Sequence, residues 1–212
     1  MANPTIHGPN FSTYVRSVRM ALEEKGQAYD LNEVNIFAGE NQSEAHLARH
    51  PWGKVPAFEH DGFQLYETTA ILRYLDAAFP EPALQPRDPR GQARMTQIQA
   101  IVDSYAYATL IGTLVINRLV KPNLGDSPDE QAIRDCLPEA RKVLGELDRL
   151  VGDDGFAVGG TLTLADLHLL PVLAYVAMTD EGAELFQHAP KLKRLYDTLS
   201  ARESAKATVP QL

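Results

Sequence analysis

Residues His50 to Thr68 read HPWGKVPAFEHDGFQLYET, and the fold turns on how that run is parsed. Val55-Pro56 stands between a glycine-containing loop and a short apolar strand, Val55 to Phe58. His60-Asp61-Gly62-Phe63 predicts a tight turn, because Asp-Gly supplies the positive φ that a hairpin needs. Gln64 to Tyr66 is the return strand. Glu67-Thr68-Thr69 then brings a carboxylate and hydroxyls to the start of an apolar helix, Ala70 to Ala78, at positions suited to capping its free amides. A proline-fixed backbone, a helix N-terminus and a carboxylate thus fall on one edge. An extended peptide ligand can use all three, with main-chain bonds to Val55 and its amine on Glu67. The same run also fits an ordinary surface hairpin.

Upstream, Thr5-Ile6-His7 is a short strand stopped by Gly8-Pro9. Ser12-Thr13 precedes a helix to Lys25 whose Val15, Val18 and Leu22 form one apolar stripe, and Gly26 ends it. Alternation from Leu31 to Ile36 predicts a second strand, and Ser43 to Arg49 a short helix. The order over residues 1 to 79 is βαβαββα, with a parallel βαβ start and an antiparallel closing hairpin. That is a thioredoxin-like arrangement without the dithiol.

Downstream the composition changes. Residues 80 to 89 are rich in proline and lack periodicity, so they read as a linker. From residue 90 to 212 everything reads helical: Arg90 to Leu119, Pro128 to Leu150, Leu164 to Met178 and Pro190 to Arg202. The fold class is therefore an α/β domain followed by an all-α domain.

The net charge of −8 comes without a run of Lys or Arg able to track a phosphate backbone, which argues against nucleic acid. The single cysteine, Cys136, excludes an internal disulfide and any Cys-X-X-Cys site. His46 and His50 can share a helix face, but no acidic third ligand follows at a suggestive spacing, so no metal is expected. The N-terminus lacks the pattern of a signal peptide, and apolar runs such as Leu110 to Ile116 are far short of a membrane span. A soluble, cytoplasmic protein with no membrane association is the expectation.

The run KVPAFEHDGFQLYETTAILRYL resembles the glutathione-binding segment of soluble glutathione transferases, and GPNFST resembles the start of their serine-type, phi-like bacterial members. The two-domain plan extends the resemblance over nearly the whole chain. It implies a cis Val55-Pro56 bond, with Val55's backbone holding the cysteinyl part of glutathione. It implies that Glu67 and Thr68 hold the γ-glutamyl end, Thr68 replacing the family's usual serine. Lys54 meets the glycine carboxylate, or is a solvated surface charge; Gln42 aligns with a family position that is often a lysine. It implies a homodimer, no metal, and detoxification chemistry.

The resemblance makes Ser12 the catalytic residue, and the chemistry agrees. A thiol of pKa ~8.5 is only about 3% ionised at pH 7, and lowering it by two units takes ~2.7 kcal/mol. A helix N-terminus supplies ~0.3–1 kcal/mol and a hydrogen bond to a charged acceptor ~1.5–3 kcal/mol. Together they suffice, and Arg16, one turn on, can add positive field. The alternative for Ser12 is a plain helix cap. For the electrophile, the resemblance points to Phe11 and to a Tyr107, Ile111, Val115 row; Tyr105 and Tyr107 lie about 200° apart on a helix, so only one faces the same way as that row. The row also fits a buried bundle stripe. In TLTLADLHLLPVL, Thr163 and Asp166 form a capping box, a folding element.

The expected activity is attack of the glutathione thiolate on a small hydrophobic electrophile, or reduction of an organic peroxide. The competing reading is a non-enzymatic binding protein of the same fold. A zeta-type isomerase lacks support, because its Ser-Ser-Cys signature is absent here.

Overall fold

The structure, a computed structural model, describes residues 2–210. Its first unit takes in the chain up to Leu84 and, separately, the chain from Ala201 onward. Four strands form one sheet in the order β2-β1-β3-β4, with β1 at Thr5–His7, β2 at Asp30–Asn32, β3 at Ala57–His60 and β4 at Phe63–Tyr66. β1 runs parallel to β2 and antiparallel to β3, and β3 antiparallel to β4. The helices are α1 at Thr13–Glu24, the single turn α2 at Glu44–Leu47 and α3 at Thr68–Ala78. This is the expected βαβαββα order and a thioredoxin-like fold.

The hairpin turn has positive φ at both central residues, Asp61 (48°) and Gly62 (79°), the arrangement whose twist matches the flanking strands. Ile6 pairs with Phe58 at the sheet centre, and both are buried with Val15, Val18 and Leu22 of α1 and Ile71, Leu72 and Leu75 of α3. Gly8 is required by close approach: a Cβ there would lie 2.5 Å from Val15 Cγ2.

The second strand is shorter than its alternation suggests. After Asn32 the side chains take over the backbone groups, Glu40 accepting from the Asn35 amide at 2.7 Å and Asn35 from the Ala38 amide at 3.0 Å. These bonds close a turn where Val34 and Ile36 would have extended the ladder.

The second unit, Gln85–Ser200, is helical. It contains α4 at Pro89–Asn123, α5 at Glu130–Leu150, α6 at Leu164–Val176, α7 at Gly182–Gln187 and α8 at Pro190–Ser200. Asp88 caps α4 by accepting from the Arg90 and Gly91 amides, with Pro89 at the first helical position. Between Val102 and Val120 the backbone loosens to i→i+5 bonding, the π-helical pattern, so residue rows follow a wider turn there. Part of α4 is long and apolar enough to cross a bilayer, which the short apolar runs did not suggest; 44% of that stretch is buried inside the protein. A buried core helix meets the same criteria.

α6 is buried along nearly its whole length, and its start is built on Asp166. Fully buried, Asp166 accepts from the Thr163 amide, the Thr163 hydroxyl and the Ala157 amide, each at 2.7 Å. The reciprocal cap is present, and the Ala157 bond extends it to the preceding loop.

The compact units divide the chain at other residues than the sequence bounds. The linker region is pinned to the first unit, since the Lys25 ammonium donates to Asp76 and to the Pro82 carbonyl, both at 2.6 Å. Asp76 also accepts from the Leu84 amide at 2.8 Å, so the unit runs to Leu84 and not to residue 79. At the other end, α9 at Glu203–Ala207 packs with the first unit, not with the all-α domain. Arg202 and Ser204 both bond Glu24 at the end of α1, which draws this segment out of the helical unit.

Candidate active site

The loop from Gly8 to Ser12 connects β1 to α1 and is fixed at three points. The Gly8 amide donates to the Asn32 carbonyl (3.0 Å), the Asn10 amide to Glu33 Oε2 (3.3 Å), and the Ser12 amide to the Pro9 carbonyl (3.1 Å). Ser12 is half-buried and caps α1, its Oγ accepting a long 3.4 Å bond from the Val15 amide. That bond uses an oxygen lone pair, so the hydroxyl proton is left to donate. The first turn of α1 holds no acidic residue. The partial positive charge of its N-terminus is therefore not offset by a side chain there, which suits an anionic sulfur.

Phe11 stacks on Phe37, ring centroids 5.4 Å apart and 21° between planes. Phe37 is 56% exposed, so the pair offers an aromatic face beside Ser12. Sequence reasoning missed Phe37, which lies just past the strand expected from Leu31 to Ile36.

The His50–Val55 loop is held from inside. The Gly53 carbonyl accepts from Asn41 Nδ2 (2.7 Å) and Gln42 Nε2 (3.4 Å), and His46 Nε2 donates to the Lys54 carbonyl (2.8 Å). The Gln42 amide thus serves the loop, while the Lys54 side chain is exposed. His46 is a backbone anchor. His50 is buried against Tyr66, centroids 5.0 Å apart, and burial pushes its pKa below the usual value. Val55-Pro56 is cis, and Val55 precedes Ala57, the first laddered residue of β3.

Glu67 departs from the capping role expected of it. It stands at the N-cap of α3, but its side chain makes no cap bond, and its backbone sits at φ 71°, ψ 113°. Positive φ in a non-glycine residue costs on the order of 1–3 kcal/mol and persists where the surroundings enforce it. The result is an exposed carboxylate beside the buried Thr68, which begins α3.

Arg16 is buried, with its guanidinium turned to the C-terminal segment: NH2 donates to the Ala205 carbonyl (3.1 Å) and Nε to Thr208 Oγ1 (3.5 Å). In the helical unit, Tyr105 is 60% exposed, while Tyr107 is half-buried and its phenol is pushed above the usual pKa by burial. Ile111 and Val115 are buried, so of that row only Tyr107 keeps appreciable surface. Cys136 is half-buried, and burial, with the Glu181 carboxylate, raises its thiol pKa.

Residues 6–83 match the family model of the glutathione S-transferase N-terminal domain, and residues 107–203 that of the C-terminal domain. A glutathione S-transferase of Hyoscyamus muticus is 30% identical over 199 residues, 93% of each chain. Among solved structures, glutathione transferase F2 from Populus trichocarpa superposes with a TM-score of 0.86 at 26% identity, covering 97% of this chain and 96% of the other. Maize glutathione S-transferase I in complex with an atrazine glutathione conjugate gives 0.83 at 25% identity, covering 98% and 96%.

Proposed function

The chain belongs to the glutathione S-transferase family, and we propose that Ser12 is the group that activates the thiol of bound glutathione. The protein is a glutathione transferase. The observation that carries the Ser12 reading is its hydroxyl, which caps α1 through an oxygen lone pair and keeps its proton for an acceptor. Lys54 then meets the glycine carboxylate, the Val55 backbone the cysteinyl amide, and Glu67 with Thr68 the γ-glutamyl amine and carboxylate. Gln42 contributes by holding Gly53. The apolar part of the electrophile meets the stacked Phe11 and Phe37.

Conjugation is favoured over disulfide exchange, because serine stands at the start of α1 and the only thiol is the half-buried Cys136. The thiol gives its proton to water. The thiolate then forms the S–C bond as a leaving group departs with its bonding pair, or adds to an activated double bond whose resulting carbanion takes a proton from water. Ser12 only donates its hydrogen bond and forms no covalent bond. The direct test is glutathione-dependent thermal stabilisation, followed by a spectrophotometric assay with a chloronitrobenzene. Stabilisation without turnover of any model electrophile would favour the binding-protein reading.

Glu67→Ala should raise the KM for glutathione by ~10-fold or more, since a hydrogen bond to a charged group is worth ~1.5–3 kcal/mol. The pH–rate midpoint should stay where it is, because Glu67 is assigned to the amine end of the ligand. A shifted midpoint with unchanged KM would reassign the residue. We further propose a cytoplasmic homodimer, its interface taking in the β3–β4 hairpin with α3 and the start of α4. Light scattering at micromolar concentration should give about twice the chain mass of 23.4 kDa; the chain mass itself would refute the dimer.

A further inference from the structure

The last described residues run back along α1 and grip it at both ends. At the far end, Glu24 accepts from Arg202 Nε and NH2, each at 2.7 Å, and from the Ser204 hydroxyl at 2.5 Å. At the near end, Arg16 donates to the Ala205 carbonyl and to Thr208, and Thr208 itself donates to the Ser204 carbonyl at 2.7 Å. The segment therefore lies antiparallel to α1, with a separate clip at each terminus of that helix.

The near clip is one turn from the proposed thiol-activating group. The Arg16 amide bonds the Ser12 carbonyl at 2.9 Å, so the backbone unit that carries Ser12 is bonded directly to the residue the C-terminal segment holds. Ser12's side chain is fixed locally by the long Val15 contact. Arg16 is 6% exposed, so its guanidinium is held by neighbours and not by solvent.

We propose that Arg16 is a positioning residue for the transferase reaction: clipped by Ala205 and Thr208, it sets where the start of α1 presents the Ser12 hydroxyl to the glutathione thiolate. The C-terminal segment is thereby part of the thiol-activating device although it touches neither sulfur nor electrophile. The inference rests on the Ser12 reading above. A hydrogen bond to a thiolate is sensitive to sub-ångström displacement, so loosening the clip shows in the thiol's apparent pKa before it shows in glutathione affinity.

The test compares three variants in the pH dependence of kcat/KM with glutathione and a chloronitrobenzene, with melting temperature in parallel. Arg16→Lys keeps the charge but loses the planar fork that reaches two acceptors at once. It should move the midpoint upward by about half a unit, roughly a threefold loss of rate below the midpoint, with the glutathione KM within about twofold of wild type. Thr208→Val leaves Arg16 in place and should shift the midpoint the same way by less. Arg202→Met breaks the far clip and should lower the melting temperature with no shift in midpoint. Unshifted profiles in both Arg16→Lys and Thr208→Val would overturn the proposal, leaving the segment a purely structural brace. If Arg16→Lys does not fold, Thr208→Val decides. Ser12→Ala in the same series separates the two claims: if it also leaves the profile unshifted, the Ser12 reading fails, whereas a shift there alone rejects only the role of Arg16.

Discussion

Asp166→Ala should lower the free energy of unfolding by ~2–4 kcal/mol near neutral pH and leave glutathione affinity unchanged. A helix cap seen in sequence alone is worth ~0.5–2 kcal/mol. The structure raises the figure, because the fully buried Asp166 carboxylate accepts from the Thr163 amide, the Thr163 hydroxyl and the Ala157 amide. Alanine leaves these donors without their acceptor. The hydroxyl can rotate to another partner, but each stranded amide costs ~1–3 kcal/mol. Relief from burying a charge offsets part of that loss. None of Asp166's partners is among the residues proposed for glutathione, so ligand binding should survive. Urea unfolding of both proteins measures the difference. Unchanged melting with lost glutathione binding would mean the residue had been misassigned.

The size of that loss should depend on pH, with a definite sign. Burial pushes the Asp166 carboxyl up to about 6 from an ordinary 3.8, against the lowering effect of the Thr163 and Ala157 donors. The folded protein therefore holds this proton more tightly than the unfolded chain does. The resulting stabilisation is fully present below about 3.8 and is lost as pH rises through about 6. A shift of about two units corresponds to at most ~3 kcal/mol. Wild type should thus gain on Asp166→Ala as pH falls from 7.5 to 5, so the measured difference should be larger at the lower pH. A difference that shrinks over that range would show that the hydrogen bonds, and not burial, set the ionisation of Asp166.

What the sequence made legible follows from how local each signal is. The hairpin at Asp61-Gly62 and the ends of α1 are set by residues within a few positions of one another, and all appear where expected. The same holds for the Thr163–Asp166 cap. The features missed depend on partners distant in the chain. Nothing in RESAKAT at 202–208 indicates that Arg202 will meet Glu24, or that Arg16 will meet Ala205. Phe37 owes its place to stacking on Phe11, a residue far from it in the chain. Glu67 is an intermediate case: its sequence position gave the helix start, but its left-handed backbone, which keeps the carboxylate off the helix, has no sequence signature in a non-glycine residue. Gln42 stands at a family position that is often a lysine, and its bond to the Gly53 carbonyl is a further contact with no local sequence signal.

Ser12→Ala should lower turnover with a model electrophile by ~10- to 100-fold at a pH below the thiol's midpoint, and should move the pH–rate curve upward by ~1–2 units. The two figures are one effect: each unit of thiol pKa is ~1.4 kcal/mol of lost thiolate stabilisation. The helix N-terminus remains in the variant and keeps its ~0.3–1 kcal/mol, so the change isolates the hydroxyl's share. Glutathione affinity should stay nearly constant, because Lys54, the Val55 backbone, Glu67 and Thr68 are assigned most of the binding. Stability should fall little, since the cap bond that is lost is the long one from Val15. Ser12→Thr, which keeps a hydroxyl, should recover most of the rate. Ser12→Cys should divert the protein to mixed-disulfide exchange, because a thiol at a helix N-terminus is ionised more readily than one in water and attacks glutathione disulfide itself. Wild-type turnover and an unshifted profile in Ser12→Ala would sink the thiolate role. Ser12 would then be a helix cap alone, and thiol activation would have to come from the amides of the α1 N-terminus without it.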